Sequence, residues 1–172
     1  PDQRAIAVQV AVITVSDTRT PDSDRSGQLI QQLLQAAEHR LTHYQILPDE
    51  PSQIEATVIS LCQRSDIDAV ILNGGTGIAP RDTTYDAIAR LLEKTLPGFG
   101  ELFRSLSYAE IGSRAIASRA TAGIYRGKLI VSLPGSSNAV RLGMEALILP
   151  ELVHLISQLN PSLLQADTGA AP

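Results

Sequence analysis

A chain of 172 residues, 44% hydrophobic and 19% charged, can bury one substantial core and is too apolar for wholesale disorder. Its net charge of -4 argues against nucleic acid as the main partner, and no apolar run reaches the ~20 residues that span a bilayer. The single cysteine, Cys62, excludes an intrachain disulfide and suits a reducing cytoplasm, where the chain is expected to work.

The start, Pro1-Asp2-Gln3-Arg4, has no signal-peptide core, in keeping with that location. Val8 to Val15 is a β-branched run and predicts a central strand. It runs into a long polar loop, Ser16 to Gly27, placed where a binding loop or a solvated connection would lie. A helix to about His39 follows, with Ile30, Leu33, Leu34 and Ala37 on its apolar face. Leu41 to Leu47 predicts a second strand, ending in Pro48-Asp49-Glu50-Pro51. Ser52 and Glu55 have the spacing of a capping box for a helix to about Arg64, whose apolar face includes Ile54, Val58, Leu61 and Cys62. Cys62 reads there as a core residue.

Ala69 to Leu72 predicts a buried parallel strand, and Tyr85 to Leu92 a helix with Ile88, Leu91 and Leu92 at helical spacing. Glu93 to Glu101 links to a further helix carrying Leu102, Phe103 and Leu106, with Tyr108 to Arg119 continuing helically. Ala120 to Tyr125 and Lys128 to Leu133 read as antiparallel strands joined tightly at Arg126-Gly127. Pro134-Gly135-Ser136-Ser137-Asn138 then opens a helix with Val140, Met144 and Leu147, and Leu152, Leu155, Ile156 and Leu159 mark the last one. Residues 1–159 form a single predicted domain, and 160–172 a flexible polar tail.

The densest chemistry lies between the Ala69–Leu72 strand and its helix, in Asn73-Gly74-Gly75-Thr76-Gly77-Ile78-Ala79-Pro80-Arg81-Asp82-Thr83-Thr84. Glycines let backbone amides approach an anion, a helix N-terminus adds its positive dipole end, and open α/β sheets bind ligands at this edge. Arg81 offers a fork for phosphate, and Asp82 a carboxylate for a divalent cation or a substrate hydroxyl. Two phosphate fingerprints are excluded: Gly77 is followed by Ile78 and not by Lys, and the third glycine of a dinucleotide loop is replaced by Pro80. A tight turn whose glycines serve only the backbone is the alternative. Asp49, also at a strand's carboxyl end, and the Gly135–Ser137 turn repeat the pattern, with helix capping as the alternative for Asp49, Ser136 and Ser137. His39, His43 and His154 stand far from every glycine turn, no Gly-x-Ser-x-Gly elbow occurs, and no Cys/His cluster suggests zinc.

Six separated motifs occur in one order: Val15-Ser16-Asp17-Thr18-Arg19, Leu47-Pro48-Asp49-Glu50, Gly74-Gly75-Thr76-Gly77 with Arg81-Asp82, Pro97-Gly98-Phe99-Gly100-Glu101, Ser118-Arg119-Ala120, and Leu133-Pro134-Gly135-Ser136. From about Val8 to about Leu159 the chain resembles the molybdenum-cofactor biosynthesis proteins of the MoaB and MogA type, the molybdopterin adenylyltransferase family. Ser16-Asp17-Thr18-Arg19 looks more like MoaB, and Tyr85 stands where the family often has proline. The resemblance implies a three-layer α/β/α fold with a mostly parallel mixed sheet and one antiparallel strand. It also implies a homotrimer or homohexamer, with other molybdenum-cofactor biosynthesis proteins as further partners. The implied reaction transfers AMP from ATP, with Mg2+, to the terminal phosphate of molybdopterin and releases pyrophosphate. Asp49 and Asp82 match positions tied to catalysis and magnesium. The substrate contacts implied by the turns and their neighbours are Ser16, Asp17, Asn73, Gly74, Gly75, Thr76, Gly77, Arg81, Glu101, Pro134, Gly135, Ser136 and Ser137. A non-catalytic molybdopterin-binding or scaffold protein of the same fold is the alternative.

Overall fold

A computed structural model describes residues 6–165. Strand β1 (Gln9–Val15) leads through a long loop to α1 (Arg25–Ala36), then β2 (Arg40–Leu47), α2 (Pro51–Cys62) and β3 (Ala69–Asn73). There follow α3 (Thr84–Leu91), the short β4 (Lys94–Thr95), α4 (Pro97–Ile111) and a 3-10 turn (Gly112–Ala117). The hairpin of β5 (Thr121–Tyr125) and β6 (Lys128–Leu133) precedes α5 (Ser137–Gly143), a π turn (Met144–Ile148), α6 (Leu149–Leu159) and α7 (Ser162–Gln165).

The six strands form one sheet in the order β2-β1-β3-β6-β5-β4. β1 pairs in parallel with β2 and β3, and β3 with β6, so these four strands end on the same edge. β5 alone runs the other way, antiparallel to both β6 and β4. Its hairpin turns on Arg126 at φ 47 and Gly127 at φ 74, the left-handed pair that a two-residue turn requires.

Alternation along the strands sends side chains to two separate cores. Val10, Val12, Ile71 and Val131 face α1, α4, α5 and α6, meeting Ile30, Leu34, Phe103, Val140, Met144, Leu152 and Ile156. Ala11, Ile13, Val15, Val70 and Leu72 face α2 and α3, meeting Ile54, Val58, Leu61, Cys62, Ala87 and Ile88. The result is the expected three-layer α/β/α arrangement. Among the described residues no helix is long and apolar enough to cross a membrane.

Several local expectations are corrected. α1 stops at Ala36, short of His39, because Glu38 turns the chain at φ 62. The Ser52–Glu55 capping box does not form. Pro51 takes the first turn of α2, Glu50 stands at the cap without a side-chain bond, and Glu55 instead pairs with Arg90 on α3 at 2.8 Å. The Glu93–Glu101 link contains β4, and α4 begins inside it at Pro97. The helical stretch beyond Tyr108 breaks at Gly112, φ 65, and finishes as the 3-10 turn. The π turn before α6 has a covalent cause: Pro150 has no N–H for the carbonyl of Ala146, and its ring needs room against the preceding turn. Of the tail, Ser162–Gln165 is helical, with Leu163 packed on the larger core, and 166–172 lie outside the described residues.

Candidate active site

The strand order reverses between β1 and β3, and the open-sheet rule places a crevice beyond their carboxyl ends. A cavity of about 510 Å3 lies there, walled by the segments that leave β1, β3 and β6. Val15, Ser16, Thr18 and Arg19 come from the first, Gly74 to Gly77 and Asp82 from the second, and Pro134, Gly135, Ser136 and Ala139 from the third. Phe103, Ser107 and Ile111 of α4, with Ser118, close the remaining side.

The turns that build this wall touch each other. Gly74 donates its N–H to the carbonyl of Leu133 at 2.9 Å, and a Cβ on Gly135 would lie 3.3 Å from Gly74 Cα. Gly74 sits at φ 99, where any side chain would collide with the carbonyl of Val15. Gly75, at φ 69, covers the Thr84 hydroxyl and the Asp49 carboxylate. Ser136 caps α5 by accepting the N–H of Ala139 at 3.2 Å, as its helix-capping alternative anticipates.

Asp82 lines the cavity, where its Oδ2 accepts the N–H of Ala79 at 3.0 Å. Asp49 lies behind Gly75 and is 7% exposed; its Oδ1 accepts both the N–H and the hydroxyl of Thr83. Asn73 is fully buried beneath the turns. Its amide donates to Thr14 Oγ1 at 2.9 Å and its carbonyl accepts from Ser26 Oγ at 2.8 Å. Arg81 lies outside the cavity wall, clasping Asp17 and Glu50 at 2.8 Å each. That guanidinium, with the N–H of Asp49, holds the Asp17 carboxyl below its ordinary range. Glu101 lies on a neighbouring cavity of about 340 Å3 with Tyr85, Arg104 and Arg119, which shares the wall residue Ser118 with the first. Ser137 is exposed at the start of α5, off the wall.

The structure thus gathers Ser16, Gly74, Gly75, Thr76, Gly77, Asp82, Pro134, Gly135 and Ser136, with Asp49 and Asn73 one layer behind. Two further residues matter that stood in sequence motifs without a role. Arg119 binds the carbonyls of Gly77 at 3.0 Å and Asp82 at 2.9 Å and lies 4.9 Å over the Tyr85 ring, so it buckles the glycine turn. Arg19 reaches the cavity from the β1 loop. No local pattern marks either, because their partners are distant in the chain.

Among the described residues no three His, Cys, Asp or Glu side chains converge as a metal cage. One carboxylate on a cavity wall does fit Mg2+, which keeps several waters and takes other ligands from substrate phosphates. Asp82 is that carboxylate. Asp49 has one oxygen committed to Thr83 and the other near the buried, unpartnered Thr84 hydroxyl.

Residues 11–154 match the family described as "Probable molybdopterin binding domain". The chain is 54% identical over 153 residues to Molybdenum cofactor biosynthesis protein B of Halalkalibacterium halodurans, covering 88% of this chain and 90% of that protein. It is 52% identical over 154 residues to the protein of the same name in Bacillus subtilis, covering 89% and 91%. A crystal structure of Molybdenum cofactor biosynthesis protein B superposes with a TM-score of 0.88 at 48% identity, over 90% of this chain and 97% of the other. The tungsten cofactor synthesizing protein MoaB from Pyrococcus furiosus does so at 0.80 and 38%, over 89% and 97%. With sequence and fold both matching over most of its length, the chain belongs to the MoaB/MogA family, as a MoaB-type protein of molybdenum cofactor biosynthesis.

Proposed function

We propose that this protein transfers AMP from ATP, with Mg2+, to the terminal phosphate of molybdopterin. The reading rests on one observation: the two glycine turns after β3 and β6 meet at a single cavity with one carboxylate, Asp82, on its wall. A volume of about 510 Å3 is within the ~300–1,000 Å3 usual for small-ligand sites. The terminal phosphate oxygen of molybdopterin attacks the α-phosphorus of ATP. A new P–O bond forms, the α–β bridge breaks, and pyrophosphate leaves with the electron pair. No protein nucleophile is needed, so the absence of histidine and cysteine from the wall costs nothing. What the reaction needs is two anions held in line and their charge neutralised.

In this reading Asp82 would hold the Mg2+, which would supply charge neutralisation for the reacting phosphates. Amides of Gly75–Gly77 and of the Gly135–Ser136 turn orient the phosphates, and Asp49 fixes the glycine turn through Thr83. A cytoplasmic homotrimer or homohexamer belongs to the same reading. The exposed Tyr108, Ile111 and Ile116 offer it apolar surface, and sedimentation velocity reads the assembly directly.

Purified protein with molybdopterin and Mg-ATP should yield adenylylated pterin and pyrophosphate. Molybdopterin binding with no product would establish the second reading, a binding or scaffold protein. The commitment of Asp49 Oδ1 to Thr83, with no metal cage among the described residues, is what favours that second reading. Asp82→Ala should stay folded by circular dichroism and lose about a hundredfold or more in transfer, the scale for removing a preorganised electrostatic group.

A further inference from the structure

Arg19 is the one basic residue on the wall of the main cavity, among the described residues. Its guanidinium is held from the inner side: Nη1 donates to Ser26 Oγ at 2.6 Å and Nη2 to the carbonyl of Gly135 at 2.9 Å. Nη1 also stands 3.6 Å from Asp24 Oδ1. The backbone N–H of Arg19 donates to Ser16 Oγ at 3.0 Å, which fixes the base of the side chain. Of five N–H donors, two are engaged by these side-chain bonds, and a third of the side chain remains exposed.

Asp24 is 0% exposed. A buried carboxylate survives only when matched by donors and a counter-charge. It accepts from Thr14 Oγ1 at 2.6 Å, Tyr44 Oη at 2.5 Å and the N–H of Gly27 at 3.0 Å, whereas the Ser26 hydroxyl gives its proton to Asn73. The nearby cation is Arg19. Three donors, from β1, β2 and the start of α1, therefore lock the carboxylate, and the locked carboxylate orients the guanidinium. Arg81, by contrast, spends its fork on Asp17 and Glu50. An anion among the cavity's amides has Arg19 as its countercharge on the wall.

We propose that Arg19 is the residue of this chain that binds a substrate phosphate by direct ionic contact, and that Asp24 is a positioning residue that aims it. This rests on the phosphate-transfer reading of the cavity and adds the cation which that reading lacks. The shared chemistry is a phosphate, carried by the nucleotide or by molybdopterin.

Titration calorimetry with inorganic pyrophosphate and Mg2+ tests the proposal, repeated with ATP and with molybdopterin. Arg19→Gln should weaken pyrophosphate binding at least tenfold. Arg19→Lys should recover only part of it, since an ammonium cannot reproduce a fork that spans Ser26 and Gly135. Arg90→Gln, which loses only an exposed pair with Glu55, should bind as the wild type does. A loss seen with ATP and not molybdopterin assigns Arg19 to the nucleotide, and the reverse assigns it to the pterin phosphate.

Asp24→Asn should also weaken binding. The double variant should be no weaker than Arg19→Gln alone, a coupling that general destabilisation would not produce. Should Arg19→Gln fail to fold, Arg19→Lys carries the test, with at least a threefold loss expected. Wild-type protein binding pyrophosphate, with the Arg19 variants binding equally well, would overturn the assignment and leave phosphate transfer standing. Wild-type protein binding neither pyrophosphate nor ATP would remove the phosphate reading itself.

Discussion

Gly75 shows how little freedom the candidate site leaves at a single position. Its φ of 69 favours glycine, and an added Cβ would collide with Thr84 Oγ1 and lie 2.7 Å from Asp49 Oδ2. Gly75→Ala should lose roughly 1–3 kcal/mol of stability in urea unfolding and should abolish transfer, because the turn must move. Cys62 is constrained differently. Burial pushes its thiol up to about 11 from 9.0, so it stays protonated at neutral pH. Iodoacetamide should label it slowly at pH 8 unless urea is present. Cys62→Ala should cost about 1 kcal/mol and leave turnover intact. A raised folded pKa contributes stability below 9.0, and that contribution should fade as pH rises from 9.0 towards about 11.

Elements were legible where their signal is local and hidden where it is not. The apolar runs of β1 and β3, the amphipathic faces of α1 and α2, and the Arg126-Gly127 hairpin all declare themselves within a few residues. β4 does not, because two residues become a strand only by pairing with Gly123 and Ile124. The false capping box at Ser52 has the right spacing, but Pro51 claims the first helical turn and Glu55 turns to Arg90. The junction of α1 and β2 depends on His39, whose Nδ1 accepts the N–H of Val8 at 3.1 Å. Burial holds its pKa below the ordinary 6.5, so the neutral ring is the folded form. That contribution is present above pH 6.5 and is lost as pH falls through the depressed folded value. Chemical denaturation should show stability declining below about pH 6.5, and His39→Gln should flatten the decline.

At the scale of the whole molecule, two largely aliphatic cores hold one sheet, and the cavity opens at its carboxyl edge, where Val15 and Phe103 bring the end of each core to the wall. Leu152 on α6 is fully buried in the larger core, and Leu152→Ala should cost about 2–5 kcal/mol, read by circular dichroism because the chain has no tryptophan. The glycine turn and Asp82 could be read as a site because strand, turn and helix follow in sequence. Adjacency also made Arg81 the natural cation, whereas the one on the wall is Arg19, whose hydrogen bond to Gly135 spans 116 positions. That span bears on synthesis. A nascent chain emerging from the ribosome carries Asp24 and Arg19 early, yet the carbonyl that completes their clasp arrives only after β6. The proposed phosphate site is therefore finished late in translation, and a fragment ending before Gly135 should fail to retain pyrophosphate even if its first strands have paired.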